Sequence, residues 1–350
     1  MPIKWEEVNI KRDNGESVKG KAPVIISASR STDIPAFYSK WLIDRLNKGY
    51  VVWYNPFNKT TPVYISFKNA KLFVFWTKNP EPLIPYLNEF DKKNIDYYFQ
   101  YTLNDYENEG FEPNVPNLTK RIEVFKKLSD KIGKEKVIWR FDPLLVTPEL
   151  NVRGLLHKIW MLGNRLKGYT DKLVVSFVDV KTYKKVQNNL IRELSYYTKE
   201  SVGSAEPGKD QIYEISKGLS DMKKRWSSEG WDISIATCGE KIDLEKYSID
   251  KNKCVDDDLI RKEFSNNQSL MNFLDTGTKK SVQKELFSSP KKIQLKDSGQ
   301  RKECGCIFSK DIGMYNTCSH FCMYCYANSS KNTVIKNSKL HSQHSESIIV

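Results

Sequence analysis

Cysteines are the residues of this chain best suited to chemistry, and three of its seven stand close together in Cys318-Ser-His-Phe-Cys322-Met-Tyr-Cys325. A C-x3-C-x2-C spacing places three thiolates on one face of a single loop. Thiolates hold iron–sulfur clusters, and a 4Fe-4S cubane takes four of them. Three ligands from one loop therefore describe a cluster with one open iron. A tetrahedral zinc site is the competing reading, with His320 as the fourth ligand. Three unpaired core cysteines are a further alternative, although buried structural cysteines rarely crowd together beside Ser and Asn.

Four cysteines remain: Cys238, Cys254, Cys304 and Cys306. Four is the number a closed metal site requires. Cys304-Gly-Cys306 is a tight pair of the kind found in metal-binding turns. The set is expected to staple the C-terminal part of the chain onto the rest, through a second 4Fe-4S cluster or a structural zinc. Incidental thiols are the bland alternative. An odd total without a secreted disulfide pattern fits a reducing compartment.

The elements that must position these groups alternate in type. Pro23–Ser29, Tyr50–Asn55, Lys71–Trp76, Ile95–Thr102, Lys136–Phe141, Lys172–Phe177 and Trp231–Thr237 read as strands, with Val63–Phe67 as a short hairpin partner. Helical patterns follow most of them, near 36–48, 82–92, 117–132, 153–166 and 211–227. Continuous apolar strands alternating with helices predict an α/β fold with a parallel sheet, closed or partly closed as a (β/α) barrel. A doubly wound open sheet is the second choice, but no Gly-x-Gly-x-x-Gly turn follows any strand. Residues 1–240 are expected to form the barrel, 241–303 a lysine-rich connecting arm, and 304–350 a cysteine-rich segment and tail that close it. Lys310–Tyr315 reads as a last short strand, and His341 and His344 as solvated tail residues.

Parallel barrels build their sites from residues at the C-terminal ends of the strands. Here these are Ser29 and Arg30, Asn55, Thr77 and Lys78, Gln100 and Thr102, Arg140 and Asp142, Ser176 and Asp179, and Thr237 and Cys238. Polar residues also begin loops, so position alone does not make a site. Arg140, framed by Trp139 and Phe141, is harder to dismiss, because an ion in an apolar frame needs a partner.

The 350 residues carry 39% hydrophobic side chains and a net charge of +13. No apolar run approaches the roughly 20 residues of a membrane helix, and the polar start lacks the apolar stretch of a signal peptide, so a cytoplasmic protein without a membrane partner is expected. The basic balance raises nucleic acid as a partner, but the lysines are scattered rather than massed, as on a solvated surface.

The loop spacing, with Tyr324 before the third cysteine, resembles the cluster loop of radical S-adenosylmethionine (radical SAM) enzymes. In most of that superfamily the loop opens the catalytic domain; here it comes last, as in a permuted relative. Ser-Ala-Ser-Arg30-Ser-Thr-Asp33-Ile-Pro, Phe-Trp76-Thr-Lys78-Asn79-Pro, Tyr-Phe-Gln100-Tyr-Thr, Trp-Arg140-Phe-Asp142-Pro, and Cys304 through Tyr326-Ala-Asn328 together resemble an uncharacterised bacterial and archaeal family with a radical-SAM-like C-terminal cysteine motif. A more distant likeness to the lyase that repairs spore DNA photoproducts is an analogy. The resemblance implies a TIM-like or partial barrel of radical SAM type. It implies that Cys318, Cys322 and Cys325 ligate a 4Fe-4S cluster whose open iron binds S-adenosylmethionine, reduced by a donor such as flavodoxin or ferredoxin. Arg30, Asp33, Lys78, Gln100, Arg140 and Asp142 are then the candidate catalytic residues. Tyr324, Tyr326, Asn328, Ser176 and Asp179 are candidates to bind the cofactor. It names no substrate, and a nucleic-acid-binding or repair protein with structural clusters or zinc is the alternative function.

Overall fold

The computed structural model describes residues 4–56, 58–276 and 295–349. Its strands are β1 (Glu6–Lys11), β2 (Ser17–Ala22), β3 (Ile25–Ala28), β4 (Tyr50–Asn55), β5 (Asn58–Ser66), β6 (Leu72–Thr77), β7 (Asp96–Thr102), β8 (Val137–Leu144), β9 (Lys172–Phe177), β10 (Ser234–Thr237), β11 (Asp250–Lys251) and β12 (Lys310–Asp311). Eight of them form one sheet in the order β11-β10-β9-β8-β7-β6-β3-β12, and every neighbouring pair in it is parallel. The mixed α/β class and the parallel sheet agree with the sequence pattern. The edge strands β11 and β12 are not paired with each other, so the ladder has two ends.

The strands are apolar throughout because both faces of the sheet are covered. Phe73, Phe75, Phe99, Tyr101, Trp139, Phe141 and Val175 point to one face and join a large core with the helices Ser39–Lys48, Leu118–Ile132, Val152–Leu166 and Lys209–Ser228. The alternate residues Leu72, Val74, Tyr98, Ile138 and Val174 point to the other face. There they pack on Val255, Ile260, Phe264, Leu270, Leu274 and Ile307. The helices are started by side-chain caps where the sequence offers them: Asn117 accepts from Lys120 N–H and Asn151 from Gly154 N–H.

Three expectations change. Tyr50–Asn55 is not a member of the parallel sheet. As β4 it pairs antiparallel with β5 in a four-stranded sheet ordered β1-β2-β5-β4. The polar lead-in supplies the first hairpin of that sheet: alternation in Glu6–Lys11 turns Val8 and Ile10 inward onto Tyr50 and Val52, which takes Asn55 away from the site. The described part of the arm is no spacer, since the helices Asp257–Glu263 and Gln268–Thr276 bury Ile260, Leu270 and Leu274 against the sheet. Residues 277–294 of that arm lie outside the described residues. The tail is also docked: Val52 N–H donates to Glu346 O (2.7 Å), Trp41 Nε1 to Ser345 O (2.9 Å), and His341 Nδ1 meets Ile348 O at 2.7 Å, while His344 is exposed as expected. No helix among the described residues is long and apolar enough to cross a membrane.

Candidate functional site

A cavity of about 360 Å³ opens where the parallel strands end, and all seven cysteines line it. Arg30, Asp33, Lys78, Arg140, Asp142, Ser176, Asp179, Tyr324 and Tyr326 line it too. Each strand delivers its share: Arg30 follows β3, Lys78 follows β6, Arg140 and Asp142 end β8, Ser176 lies in β9 and Cys238 follows β10. Two expected residues stand behind the wall. Gln100 accepts from Arg140 Nη1 (3.1 Å) and donates to Cys254 O (3.0 Å). Asn328 donates to Cys318 O at 2.8 Å, and its Oδ1 is buried without a partner.

The loop of Cys318, Cys322 and Cys325 is fixed from several sides. After β12 the chain passes so near β3 that a Cβ on Gly313 would lie 1.7 Å from Ser29 Oγ; only glycine permits that approach. Tyr38 OH donates to Thr317 O (2.6 Å), Asn114 Nδ2 to Ser319 O (2.6 Å), and Met323 N–H to Phe111 O (3.0 Å). Phe321 takes φ +56 between the first two cysteines, a left-handed turn that a side chain rarely adopts. The thiols receive backbone N–H groups as well: His320 at Cys318, and Ala327 and Asn328 at Cys325. Burial pushes all three thiols up, with the neighbouring sulfurs adding to the rise at Cys318 and Cys322.

His320 is not free to complete a zinc site. Its Nε2 meets Asp33 Oδ2 at 2.8 Å and its Nδ1 meets Asn114 O at 3.3 Å. Asp33, expected as a catalytic group, is fully occupied: besides His320 it accepts from Lys78 N–H (2.7 Å) and caps the turn at Ala36 N–H (2.9 Å).

The three cations of the wall that follow or end strands, Lys78, Arg140 and Arg30, differ in how they are paired. Lys78 Nζ donates to Glu112 (2.7 Å) and to Tyr324 OH (3.0 Å). Burial opposes its charge, but the Glu112 carboxylate and the nearby Cys322 hold its pKa above the usual lysine value. Arg140 is bound to Asp142, which also accepts from Ser176 OH, and directs Nη1 at Cys254 Sγ (3.1 Å). Arg30 lies 4.8 Å over the Trp76 ring, and its Nη2 is buried without a hydrogen-bond partner among the described residues; so is Thr32 Oγ1 on the same wall. Buried polar atoms of this kind ordinarily have a partner, so two of them on one cavity wall call for water or a ligand.

The remaining four cysteines also come together. Cys238 Sγ and Cys254 Sγ are 3.2 Å apart, Cys254 N–H points at Cys306 Sγ (3.2 Å), and Cys304 interacts with Cys306. Their convergence was expected from their number and from the tight Cys304-Gly-Cys306 pair, with incidental thiols as the alternative.

Several residues in or behind the wall escaped the sequence reading. Glu112, the partner of Lys78, sits behind it in the insertion after β7, where Asp105, Glu107 and Glu109 are also acidic and nothing singles it out. Glu240 accepts from Phe177 N–H (2.9 Å), and burial, with Asp179 and Asp142 nearby, raises its carboxyl to about 7. Arg301 closes the mouth by donating to Asp179 (2.5 Å) and Tyr183 OH (3.0 Å). Its place in a polar arm gave no warning of this.

The fold and the site define a mixed α/β protein with a cysteine-lined cavity at the C-terminal ends of a parallel sheet. The chain belongs to the family described as "Domain of unknown function (DUF1848)", which matches residues 25–327. No curated protein matches it. Among solved structures, L-hydantoinase (dihydropyrimidinase) from Arthrobacter aurescens is similar at 10% identity and a TM-score of 0.25, over 62% of this chain and 47% of that one, a likeness too slight to carry fold or function.

Proposed function

We propose that the chain is a radical SAM-type iron–sulfur enzyme whose cluster is held by Cys318, Cys322 and Cys325. The observation that carries this reading is that three thiols of one loop face the cavity while both ring nitrogens of His320 are engaged elsewhere, so that the loop offers no fourth ligand of its own. The C-x3-C-x2-C spacing of the loop supports iron–sulfur over zinc.

Bound here, a 4Fe-4S cluster would chelate S-adenosylmethionine at its open iron and, once reduced by a donor such as flavodoxin or ferredoxin, supply a 5'-deoxyadenosyl radical for hydrogen abstraction from a substrate. The chain's own residues bind and enclose. Arg30 Nη2 and Thr32 Oγ1 are the unpartnered groups suited to the methionyl carboxylate. Lys78 places a positive charge beside Cys322, offsetting part of the charge of three thiolates. Ser176, Asp179 and Tyr326 are placed to meet the ribose and adenine, while Asn328 holds the cluster loop. Apolar walls at Trp76, Phe177 and Val178 keep water from the reacting atoms. Anaerobic reconstitution with iron and sulfide, reduction, and incubation with S-adenosylmethionine is expected to yield 5'-deoxyadenosine. Protein that shows neither cluster absorbance nor that product sinks the reading.

A second reading concerns the substrate. A groove adjoining the cavity is lined by Trp53, Tyr54, Tyr183, Tyr315 and Tyr326 together with Arg30 and Arg301. Tyr183 and Tyr326 stack at 5.6 Å, and Lys185 lies 5.6 Å over Tyr315. Aromatic faces interleaved with cations suit the bases and phosphates of a single strand, which with a net charge of +13 favours a nucleic-acid binding or repair role. A log–log slope of affinity against salt tests it; a flat slope removes it.

A further inference from the structure

Cys238, Cys254, Cys304 and Cys306 stand where the parallel sheet is unfinished. Cys238 follows β10 and Cys254 lies just beyond β11, at one edge, while Cys304 and Cys306 precede β12, at the other. Backbone contact across the opening is slight: Ile307 N–H donates to Val255 O at 3.1 Å. The sulfurs fill the same opening. Gly305 lets the pair pass close to Lys253, whose Cγ would lie 2.9 Å from a Cβ there. Cys254 is 4% exposed, Cys304 9% and Cys306 1%, too buried to be surface thiols.

What surrounds these sulfurs suits thiolates and not thiols. Arg140 Nη1 lies 3.1 Å and Asn252 Nδ2 3.3 Å from Cys254 Sγ, and Cys306 Sγ faces the N–H groups of Cys254 (3.2 Å) and Val255 (3.5 Å). Four donors, one of them a buried guanidinium, are aimed at two sulfurs. Neutral thiols are weak acceptors and would leave those donors poorly satisfied. Hydrogen bonds to the sulfurs are a main lever by which proteins stabilise and tune iron–sulfur clusters.

We propose that Cys238, Cys254, Cys304 and Cys306 hold a second 4Fe-4S cluster, fully ligated by protein, which joins the two free edges of the sheet and lines the same cavity as the Cys318 loop. The Cys238–Cys254 pair, at 3.2 Å, is closer than either metal site permits and opens on loading. This site does not depend on the radical SAM reading of the other loop.

Iron and acid-labile sulfide counts on the full, anaerobically reconstituted chain test it. The unsubstituted protein is expected to hold about eight irons and about eight sulfides, as two cubanes require. C318A/C322A/C325A leaves the second set intact and is expected to keep about four irons with cluster absorbance; C304A/C306A is expected to keep about four in the other loop. If C304A/C306A does not fold, the triple variant still gives the answer. About four irons in the unsubstituted protein, all lost in the triple variant, overturn this inference and leave the proposed function standing. About four irons that survive the triple variant undiminished overturn the proposed function and leave this site standing. One zinc per chain that survives in the triple variant, or a Cys238–Cys254 disulfide without metal, overturns the second cluster.

Discussion

Cys318, Cys322 and Cys325 come from one loop, whereas Cys238, Cys254, Cys304 and Cys306 come from three stretches that meet at the free edges of the parallel sheet. The loop is fixed by its own turns and by the insertion after β7. The edge group has the reverse character. It lies between β11 and β12, and its buried cysteines share one core with Val255 and Ile307. On the readings proposed above, the first group presents an open face to a ligand and the second closes the fold.

Substitution of one cysteine in each group is the most direct way to break this contrast. Cys322→Ala is expected to lower 5'-deoxyadenosine formation by more than about 100-fold, beyond the effect of typical outer-sphere changes, with a melting temperature close to that of the parent. Cys306→Ala is expected to cost about 2–4 kcal/mol in chemical denaturation, the range for losing a buried metal or network member. Equal stability losses in the two variants would show that the groups do not divide the work this way.

The backing of the first loop gives the next largest effect. Glu112 accepts from Lys78, Asn104 and the Tyr324 hydroxyl, with Arg121 at 3.5 Å. Glu112→Gln leaves two buried cations without their carboxylate, which costs about 3–5 kcal/mol, read from the midpoint of urea unfolding. Loss of less than about 1 kcal/mol would place these cations in water. His320→Ala sharpens the same loop. It removes hydrogen bonds to Asp33 and Asn114 and packing on Phe37, for about 2 kcal/mol, while iron content stays at the parent level because the ring is not a ligand. Iron that falls by a whole cluster would make His320 a ligand.

Much of the site could be read before the fold was known, for a physical reason. A parallel strand needs an unbroken apolar run, so its end is marked by the first polar residues, and those are the residues that face the cavity. Arg30, Lys78, Arg140, Asp142 and Ser176 were found in this way. Tyr50–Asn55 has the same apolar run but pairs with a neighbour in an antiparallel hairpin, and a run does not name its partner. The three-cysteine loop is legible from spacing because its ligands are local. The edge group could only be counted, since nothing in the sequence says that residues 238, 254 and 304–306 meet. Glu112 and Arg301 were invisible because their roles come from partners distant in sequence.

Lys310 tests the edge where the second group is anchored. It lies on β12, four residues after Cys306, and its ammonium sits 3.2 Å from the centre of the Trp53 ring. Burial lowers its pKa to about 8, against the weaker pull of Asp311. In the unfolded chain the group titrates near 10.5. Between about pH 8 and 10.5 the unfolded state therefore binds more protons, and stability rises with pH through that window. Below pH 8 both states are protonated and the cost of the buried charge is felt in full. The ring face recovers part of that cost, so Lys310→Met is expected to stabilise the protein at pH 7 by about 1 kcal/mol. The difference between parent and variant should shrink as pH rises from about 8 to 10.5, with other titrating groups cancelling in the comparison. A difference that stays constant across the window would mean that Lys310 keeps its proton there, and that the edge carrying the second cysteine group is open to solvent.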